Sequence, residues 1–261
     1  MKNKNYLRIF DDNAKLAKTL ANEIIIQLQK NKKLVLGCPG GRSLTKTYYY
    51  LGRFSYLKNI SLKNLIIVMM DEYVIKKNNH FKVVNPQSHF SCTRYSRQVI
   101  KKLLNYKKKS SDKLNDERIL FPNIKKPSDF DNQISKLGGI DIFLLASGSS
   151  DGHVAFNNLY AKRNFKTHIT KLSINTRKDN MKTFPLFKKI SEVPKFGLTV
   201  GLNTISQHTK LAILVLAGKE KNLAYQKIFE KPKFRNDWPA SIIYDCKKFK
   251  IYVDQKASQT Q

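Results

Sequence analysis

Compact apolar runs that end abruptly in polar residues are the sequence feature that most constrains the fold. The runs are Leu7–Phe10, 33–37 (K-L-V-L-G), 65–70 (L-I-I-V-M-M), 140–146 (I-D-I-F-L-L-A), 211–217 (L-A-I-L-V-L-A) and 250–254 (K-I-Y-V-D). The longer runs are almost entirely apolar, which is typical of parallel strands that are buried on both faces of a sheet. The chain therefore needs further elements to cover both faces.

Amphipathic stretches between the runs supply those elements. From Leu16 to Leu28 a leucine or isoleucine recurs every fourth residue, and Asp11 or Asp12 can cap the helix that this spacing predicts. Further helices are predicted through 48–50, from about Pro86 to Leu104, and near 221–229. Alternation of strands and helices predicts an α/β fold with a mainly parallel sheet. Because the chain has no linker-like composition shift and no internal repeat, we expect one domain over residues 1–261.

The cysteines and the N-terminal residues indicate the cellular compartment in which the protein is expected. Cys38, Cys92 and Cys246 are far apart and form no C-x-x-C pair. A reducing compartment is therefore expected, and a disulfide framework or a zinc ribbon is not. The first ten residues lack the apolar core of a signal peptide, and no apolar run approaches the ~20 residues that span a bilayer. We expect a cytoplasmic protein without a membrane partner.

The charge is strongly positive, because 49 Lys and Arg residues stand against 19 Asp and Glu residues, giving a formal charge of +30. Such a charge is typical of proteins that bind nucleic acid or anionic membranes. The lysines, however, are spread over nearly every segment, and no nucleic-acid-binding motif accompanies them. We therefore expect no specific nucleic-acid partner, but a field that attracts a small anionic substrate. The sequence leaves a homo-oligomer open.

The segment G-G-R-S (40–43) follows the first long apolar run, at the strand end where ligands bind in parallel sheets. Gly40 and Gly41 let the backbone approach a ligand closely. Ser43 offers a hydroxyl at the start of a helix, and Arg42 adds a positive charge. The segment thus fits an anion site, and it fits an ordinary strand-to-helix turn equally well. Neither the P-loop spacing nor the dinucleotide fingerprint occurs in the chain.

Two further strand ends carry ionisable residues. Asp71 and Glu72 follow six apolar residues, where loss of water can raise the pKa of a carboxylate and make it a useful base. For one of the two, the alternative is capping of the next element or pairing with a lysine. In S-S-D-G-H (149–153), Asp151 can hold His153 in one tautomer, and the histidine can transfer protons near neutral pH. Metal-ligand spacings and the G-x-S-x-G nucleophile motif are absent from the sequence.

Seven motifs occur in a fixed order along the chain: L-G-C-P-G-G-R-S, M-D-E-Y-V, N-P-Q-S-H-F, S-D-G-H-V-A-F-N, V-P-K-F-G-L-T-V-G, L-A-G-K-E-K and W-P-A-S. With them the chain resembles the glucosamine-6-phosphate deaminase and 6-phosphogluconolactonase family from about residue 10 to residue 255. The resemblance implies a three-layer α/β/α sandwich with a Rossmann-like sheet, a sugar 6-phosphate substrate, and no metal or organic cofactor. M-D-E-Y-V and H-V-A-F-N are closer to the deaminase branch, whereas G-G-R-S is closer to the lactonases.

The resemblance also implies a role for each candidate residue. Asp71 would be the base that moves a proton between C2 and C1 of glucosamine 6-phosphate. His153, held by Asp151, would assist ring opening at the ring oxygen. Hydrolytic loss of the C2 amine would then release ammonia. The groups that bind the substrate phosphate would be Ser43, Arg42, the backbone of Gly40 and Gly41, Lys182 and Lys221.

The chain departs from the deaminase pattern in several places. Asn158 stands where that branch has a glutamate five positions after the histidine, and an amide carries no charge. Lys182 replaces an arginine and loses its two-pronged geometry. The loop before His153 is one residue longer, and 75–84 (I-K-K-N-N-H-F-K-V-V) looks like a basic insertion that either changes substrate choice or enlarges a loop.

These departures keep two alternatives open. One is a 6-phosphogluconolactonase, in which His153 would activate a water against the lactone carbonyl. The other is a non-catalytic protein that binds a sugar phosphate. Such a binder would need Ser43 and Lys221, but it would tolerate loss of Asp71 and His153.

Overall fold

The fold is organised around a parallel sheet, as the apolar runs predict. The computed structural model describes residues 5–159 and 161–259, and its strands are β1 (Leu7–Phe10), β2 (Leu34–Cys38), β3 (Leu65–Met69), β4 (Asp71–Lys77), β5 (His80–Val83), β6 (Ile119–Leu120), β7 (Ile140–Ala146), β8 (His168–Lys171), β9 (Phe196–Thr199), β10 (Thr209–Leu216) and β11 (Phe249–Asp254). In this part of the chain, seven strands form one sheet in the order β1-β11-β10-β7-β2-β3-β6. All neighbouring strands in it are parallel.

Helices cover both faces of this sheet. They are α1 (Asn13–Lys30), α2 (Thr45–Leu57), α3 (Cys92–Tyr95), α4 (Lys102–Leu104), α5 (Asp129–Lys136), α6 (Ile174–Thr183), α7 (Leu202–Gln207), α8 (Asn222–Glu230) and α9 (Gln255–Ser258), with a π-helical segment, Ser96–Lys101, between α3 and α4. Successive residues of a strand point to opposite faces. Thus Val35 of β2 belongs to one apolar core together with α5, α7 and α8, whereas Leu34 and Leu36 belong to a second core together with α1 and α2. This arrangement confirms the three-layer α/β/α sandwich.

A second, smaller sheet was not anticipated from the sequence. Among the described residues it has the order β5-β4-β9-β8, and its neighbouring strands are antiparallel. The basic insertion 75–84 forms much of the β4–β5 hairpin. Its turn residues Asn78 and Asn79 have φ angles of 47° and 60°, which is the left-handed conformation that a tight hairpin turn requires. None of the insertion's residues, all of which the structure describes, lines the cavity of the candidate site.

The helix predicted to start at about Pro86 begins later, at Cys92. The prediction is wrong over 86–91, where the backbone forms turns. The Asn85 side chain accepts a hydrogen bond from the amide two residues further on at 2.9 Å, which favours a turn there. Ser91 is the N-cap of α3, so that the helix starts where its first amides find acceptors.

The chain changes direction across the large sheet between β2 and β7. From β2 it continues through β3 to β6 at one edge, and from β7 it continues through β10 and β11 toward the other edge. Loops at the carboxyl ends of parallel strands diverge at such a point and leave a crevice where ligands bind. The segments that follow β2, β3, β7 and β10 carry the candidate residues, and this topology places them side by side.

Candidate active site

A cavity of about 510 Å³ lies at the carboxyl ends of β2, β3, β7 and β10. The predicted site residues that line it are Gly40, Gly41, Arg42, Ser43, Asp71, His153, Lys182 and Lys221. The remaining one, Asp151, is hydrogen-bonded to His153. The fold thus brings into one place candidate residues that lie far apart in the sequence.

Asp71 is a buried carboxyl group at the cavity wall, at the start of β4. Its Oδ1 accepts a hydrogen bond from the Cys92 thiol at 3.3 Å. Burial raises the pKa of Asp71 from 3.8 to about 7; Glu72 also raises it, whereas the Cys92 thiol, His153 and the Gly40 amide act in the opposite direction. A carboxyl group with this pKa is populated in both protonation states near neutral pH, as a group that takes up and returns a proton must be.

Close packing around Asp71 requires a glycine at position 40. A Cβ atom on Gly40 would lie 2.4 Å from the Cys92 sulfur and 2.7 Å from Oδ1 of Asp71. Such distances are sterically forbidden, so any other residue would displace the carboxyl group or the thiol. The glycine that the sequence assigns to ligand approach therefore also holds the Asp71 side chain in place.

Glu72 has a structural role instead. It is buried, and its two carboxylate oxygens accept hydrogen bonds from the amide of Cys92 at 3.0 Å, the amide of Thr93 at 2.8 Å and the hydroxyl of Ser91 at 2.9 Å. These groups lie at the N-terminus of α3, which has unpaired amides and a partial positive charge. Glu72 thus fits the expectation that one carboxylate of the pair caps the next element.

Asp151 and His153 form a close pair. Nδ1 of His153 lies 2.6 Å from Oδ1 of Asp151, and Oδ2 of Asp151 accepts hydrogen bonds from the hydroxyls of Ser173 and Thr176, both at 2.7 Å. Burial acts to raise the pKa of Asp151, but the bonds from His153, Ser173 and Thr176 outweigh it and hold this pKa well below its ordinary value. The carboxylate therefore stays ionised and fixes the Nδ1–H tautomer, so that Nε2 is the ring nitrogen that can serve the substrate.

Lys221 and Ser43 reach the cavity from two different strand ends. Nζ of Lys221 donates to the carbonyl of Ser147 at 2.7 Å and to the Ser149 hydroxyl at 3.0 Å. Burial lowers the pKa of Lys221, and nearby carboxylates oppose this effect. Ser43 lies in the 3₁₀ turn Arg42–Leu44 that leads into α2. A partly buried ammonium group together with the start of a helix is a suitable site for a phosphate.

Two further cations line the more open part of the cavity. Arg42 and Lys182 are both exposed. The Arg42 guanidinium lies 5.6 Å from the ring centroid of Phe184, which also lines the cavity. Lys182 is in the last turn of α6. Positive charges in this position favour an anionic ligand.

Several cavity residues were not found from the sequence. Cys92 on α3 and Asp179 on α6 both line the cavity, and Thr176 on α6 supports Asp151. Cys92 is a lone cysteine, and α6 does not follow a strand end of the large sheet, so neither motif spacing nor strand position pointed to them. Cys92 reaches the site because α3 packs against β4. Thr176 and Asp179 reach it because they are hydrogen-bonded to Asp151 and Ser150 of the loop after β7.

Among the described residues, Asp151, His153 and Asp179 offer ligand atoms that all lie within 4.8 Å of one another. Such a spacing can suit a metal ion. Hydrogen bonds from His153, Ser150, Ser173 and Thr176, however, already occupy oxygens of the two carboxylates. The three side chains are therefore better described as a hydrogen-bonded, charged cluster.

Over residues 5–159 and 161–259, none of the helices combines the length and the apolar character that crossing a membrane would require. The three cysteines are buried and unpaired.

Comparison with known proteins identifies glucosamine-6-phosphate deaminases and isomerases among the relatives, although no protein-family model matches the chain. The glucosamine-6-phosphate deaminase of Dictyostelium discoideum is 31% identical over 228 residues, which cover 87% of this chain and 79% of that protein. The glucosamine-6-phosphate deaminase of Alkaliphilus metalliredigens is 27% identical over 262 residues, covering 97% of this chain and 99% of that protein. The glucosamine-6-phosphate isomerase of Candida albicans is 28% identical over 258 residues, covering 96% of each.

Solved structures share the fold over almost the whole chain. A monomeric glucosamine-6-phosphate deaminase has a TM-score of 0.80 at 24% identity, covering 97% of this chain and 98% of its own. A 6-phosphogluconolactonase from Shewanella baltica has a TM-score of 0.67 at 17% identity, covering 97% of this chain and 99% of its own. At these identities, the structural comparison establishes the architecture and leaves the chemistry to the residues of the site.

Proposed function

Because the chain belongs to the glucosamine-6-phosphate deaminase family, we propose that it converts glucosamine 6-phosphate and water into fructose 6-phosphate and ammonia. One observation carries this proposal: a buried carboxyl group, a histidine held by a carboxylate, and a partly buried lysine share one cavity. Isomerisation of an anionic sugar needs a base, an acid and a cation, and these are the groups that the cavity supplies.

Ring opening is the step that we assign to His153. As the bond between C1 and the ring oxygen breaks, the ring oxygen must gain a proton and the C1 hydroxyl must lose one. Nδ1 of His153 is engaged by Asp151, so Nε2 is the donor to the ring oxygen. The protonated ring, held at Nδ1 by Asp151, is the form that can act as the acid.

Proton transfer between C2 and C1 is the step that we assign to Asp71. The carboxylate removes the proton from C2 of the open-chain aldehyde and returns it to C1, while the C1 oxygen gains a proton and the amine nitrogen loses one, so that C1 becomes a CH2OH group and the amine on C2 becomes an imine. Water then adds to C2, the C–N bond breaks, and ammonia leaves behind the ketone of fructose 6-phosphate. The pKa of about 7 supports this role, because Asp71 must be ionised to start the transfer and protonated in the middle of it.

The test of the proposal is a pair of assays on the purified protein. With glucosamine 6-phosphate, we expect one ammonia and one fructose 6-phosphate to appear for each substrate molecule consumed. The second assay offers 6-phosphogluconolactone and follows the acid produced. Binding of glucosamine 6-phosphate without turnover of either substrate would refute the enzyme proposal and favour a sugar-phosphate-binding protein.

A lactonase remains the second candidate because of two features. The lactonase from Shewanella baltica has the same fold, and the G-G-R-S segment with Arg42 is closer to that branch. In this reaction a neutral His153 would take a proton from water as the water attacks the lactone carbonyl. Acid production that far exceeds ammonia release in the paired assays would favour this reading over the first.

Lys221 is expected to act on substrate binding. Changing Lys221 to Met removes the ammonium group and keeps most of the side-chain volume. We expect KM for glucosamine 6-phosphate to rise about 100-fold with a smaller change in kcat, because a buried cation that binds the phosphate contributes equally before and during the reaction.

The matched control is Lys219→Met, since Lys219 lies in the same 3₁₀ turn but is exposed and does not line the cavity. Steady-state kinetics on both variants checks the prediction. An unchanged KM in the Lys221 variant would show that the phosphate is bound elsewhere.

We also propose a cytoplasmic location. It fits the three buried, unpaired cysteines, because thiols stay reduced there. The loss of the C2 amine is a hydrolysis, because the oxygen of the resulting C2 ketone comes from water.

A further inference from the structure

A carboxylate that no strand end or motif revealed lies beside His153. Asp179 is carried by α6 and lines the same cavity as His153. One oxygen of Asp179, one oxygen of Asp151 and one ring nitrogen of His153 all lie within 4.8 Å of one another. His153 therefore has two carboxylates close to it, one from its own loop and one from a separate helix.

The loop that carries the Asp151–His153 pair also holds Asp179 in position. The backbone amide and the hydroxyl of Ser150 both donate to Oδ2 of Asp179, at 3.3 and 2.9 Å. The N-terminal end of α6 is attached to the same loop, because Ser173, its N-cap, donates to Asp151. With its N-cap and its middle bonded to the loop, α6 gives the Asp179 carboxylate a defined place relative to the histidine.

Asn158 does not provide this charge. Its side-chain amide donates to the backbone carbonyl of Lys171 in β8 at 2.7 Å, and it is not among the residues that line the cavity. A neutral amide can donate or accept hydrogen bonds, but it cannot stabilise a protonated imidazole by its charge. Any negative charge that supports His153 besides Asp151 must therefore come from another element.

We infer that Asp179 is a positioning residue for the proposed deaminase reaction, acting through His153 by stabilising its protonated form. The inference rests on the proposed function, because ring opening needs His153 as an acid. A carboxylate within about 5 Å favours the charged form of a histidine. The same carboxylate would hinder a lactonase, in which His153 must be neutral to accept a proton from water.

Other charges act on the same cluster. The remaining titratable or charged side chains of the cavity are Arg42 after β2, Asp71 and Tyr73 on β4, Cys92 on α3, Lys182 on α6, and Glu220 and Lys221 after β10. Asp71 and His153 act on each other electrostatically, and so do Lys221 and Asp179. A substitution at Asp179 changes none of these side chains, but it also removes the attraction between Asp179 and Lys221.

The test is the titration of His153 in an Asp179→Asn variant. Asparagine keeps an acceptor for Ser150 and removes only the charge. With ring-labelled histidine followed by NMR, and the His153 signal assigned from a His153→Gln variant, we expect the titration midpoint to fall by about one pH unit. In the pH range where kcat depends on protonated His153, kcat for ammonia release should fall about tenfold, and KM should change little.

Two further variants separate an electrostatic role from a structural one. Asp179→Glu should restore most of the wild-type midpoint, and Ser150→Ala should lower it by less than Asp179→Asn does. Glu117→Gln removes one negative charge from an exposed site far from the cavity lining and should leave the midpoint unchanged. A midpoint that stays at the wild-type value in Asp179→Asn would overturn the inference.

Failure of the inference and failure of the proposed function can be told apart. The titration needs no substrate, so it decides whether Asp179 supports the charge on His153 even in a protein without turnover. Absence of ammonia release by the wild-type protein would refute the proposed function. Normal ammonia release with an unchanged midpoint in Asp179→Asn would refute the role of Asp179 alone.

Discussion

Replacing Asp71 by asparagine is expected to lower kcat for ammonia release by about a thousandfold, because loss of a positioned general base typically costs 10²–10⁴ in rate. Asparagine has nearly the same shape but cannot accept the proton from C2. In the wild-type protein the pKa of about 7 has its own consequence. We expect kcat/KM to fall about tenfold for each pH unit below 7, as the fraction of ionised Asp71 falls.

The stability of the Asp71→Asn variant shows whether its lost activity comes from the missing base or from unfolding. A pKa raised from 3.8 to about 7 means that the folded state binds the proton more tightly than the unfolded state. The contribution of Asp71 to the free energy of unfolding is therefore most favourable below pH 3.8 and declines as the pH rises to 7. Above that it stays lower by about 4 kcal/mol.

Asp71→Asn removes this pH-dependent cost, so at pH 8 the variant should unfold at no lower denaturant concentration than the wild type. Ammonia release and denaturant unfolding, measured on the same preparation, check both expectations. A fully stable variant with the wild-type rate would contradict the assignment of Asp71 as the base. An inactive variant that is also strongly destabilised at pH 8 would contradict the account of its burial.

Replacing Glu72 by alanine is expected to lower the free energy of unfolding by about 3–4 kcal/mol, because it leaves buried donors without an acceptor. The groups affected are the Ser91 hydroxyl and the amides of Cys92 and Thr93 at the start of α3. Glu72→Gln keeps one acceptor oxygen and should lose about half as much. Chemical denaturation at neutral pH measures both changes.

The control is Glu117→Ala, because Glu117 is exposed; its effect should stay within about 0.5 kcal/mol. Displacement of the start of α3 should also move Cys92, the donor to Asp71, so some loss of activity is expected in the Glu72 variants. If Glu72→Ala were as stable as the control, the N-terminus of α3 would not depend on this carboxylate.

The strands and the first helix follow from short-range chemistry, and the sequence predicts them closely. The strand around Leu7–Phe10 has the predicted bounds. Asp12 caps α1, accepting hydrogen bonds from the amides of Ala14 and Lys15 at 2.6 and 2.8 Å. Strands that are buried on both faces must be apolar throughout, and a capping carboxylate acts within three residues, so both signals are contained in the local sequence.

The strands of the small antiparallel sheet have a weaker hydrophobic pattern in the sequence. β5 and β8 are short; β5 is largely exposed and β8 is mostly half-buried, so that burial imposes little sequence pattern on them. The late start of the helix at Cys92 depends on Glu72, which is 20 residues away in the chain. A cap supplied from such a distance cannot be recognised from the residues around Pro86.

At the candidate site, the sequence indicates two carboxylates that could be the base, and the packing decides between them. Asp71 and Glu72 could not be told apart in the sequence, because both follow the same apolar run. Neighbouring residues of a strand point to opposite sides. Asp71 therefore lies at the cavity wall, whereas Glu72 binds the start of α3.

By itself, the sequence determined the α/β architecture, the strand ends that line the candidate cavity, and the residues that carry the family resemblance. Only the tertiary structure decided which carboxylate lines that cavity and that Asp179 lies next to His153. The physical reason is that burial of a strand requires apolar residues within the strand itself, so that the local sequence predicts it. The pKa and the charge of a site group depend instead on side chains from other elements, whose distance is fixed only when α3 packs against β4 and α6 bonds to the loop that carries Asp151 and His153.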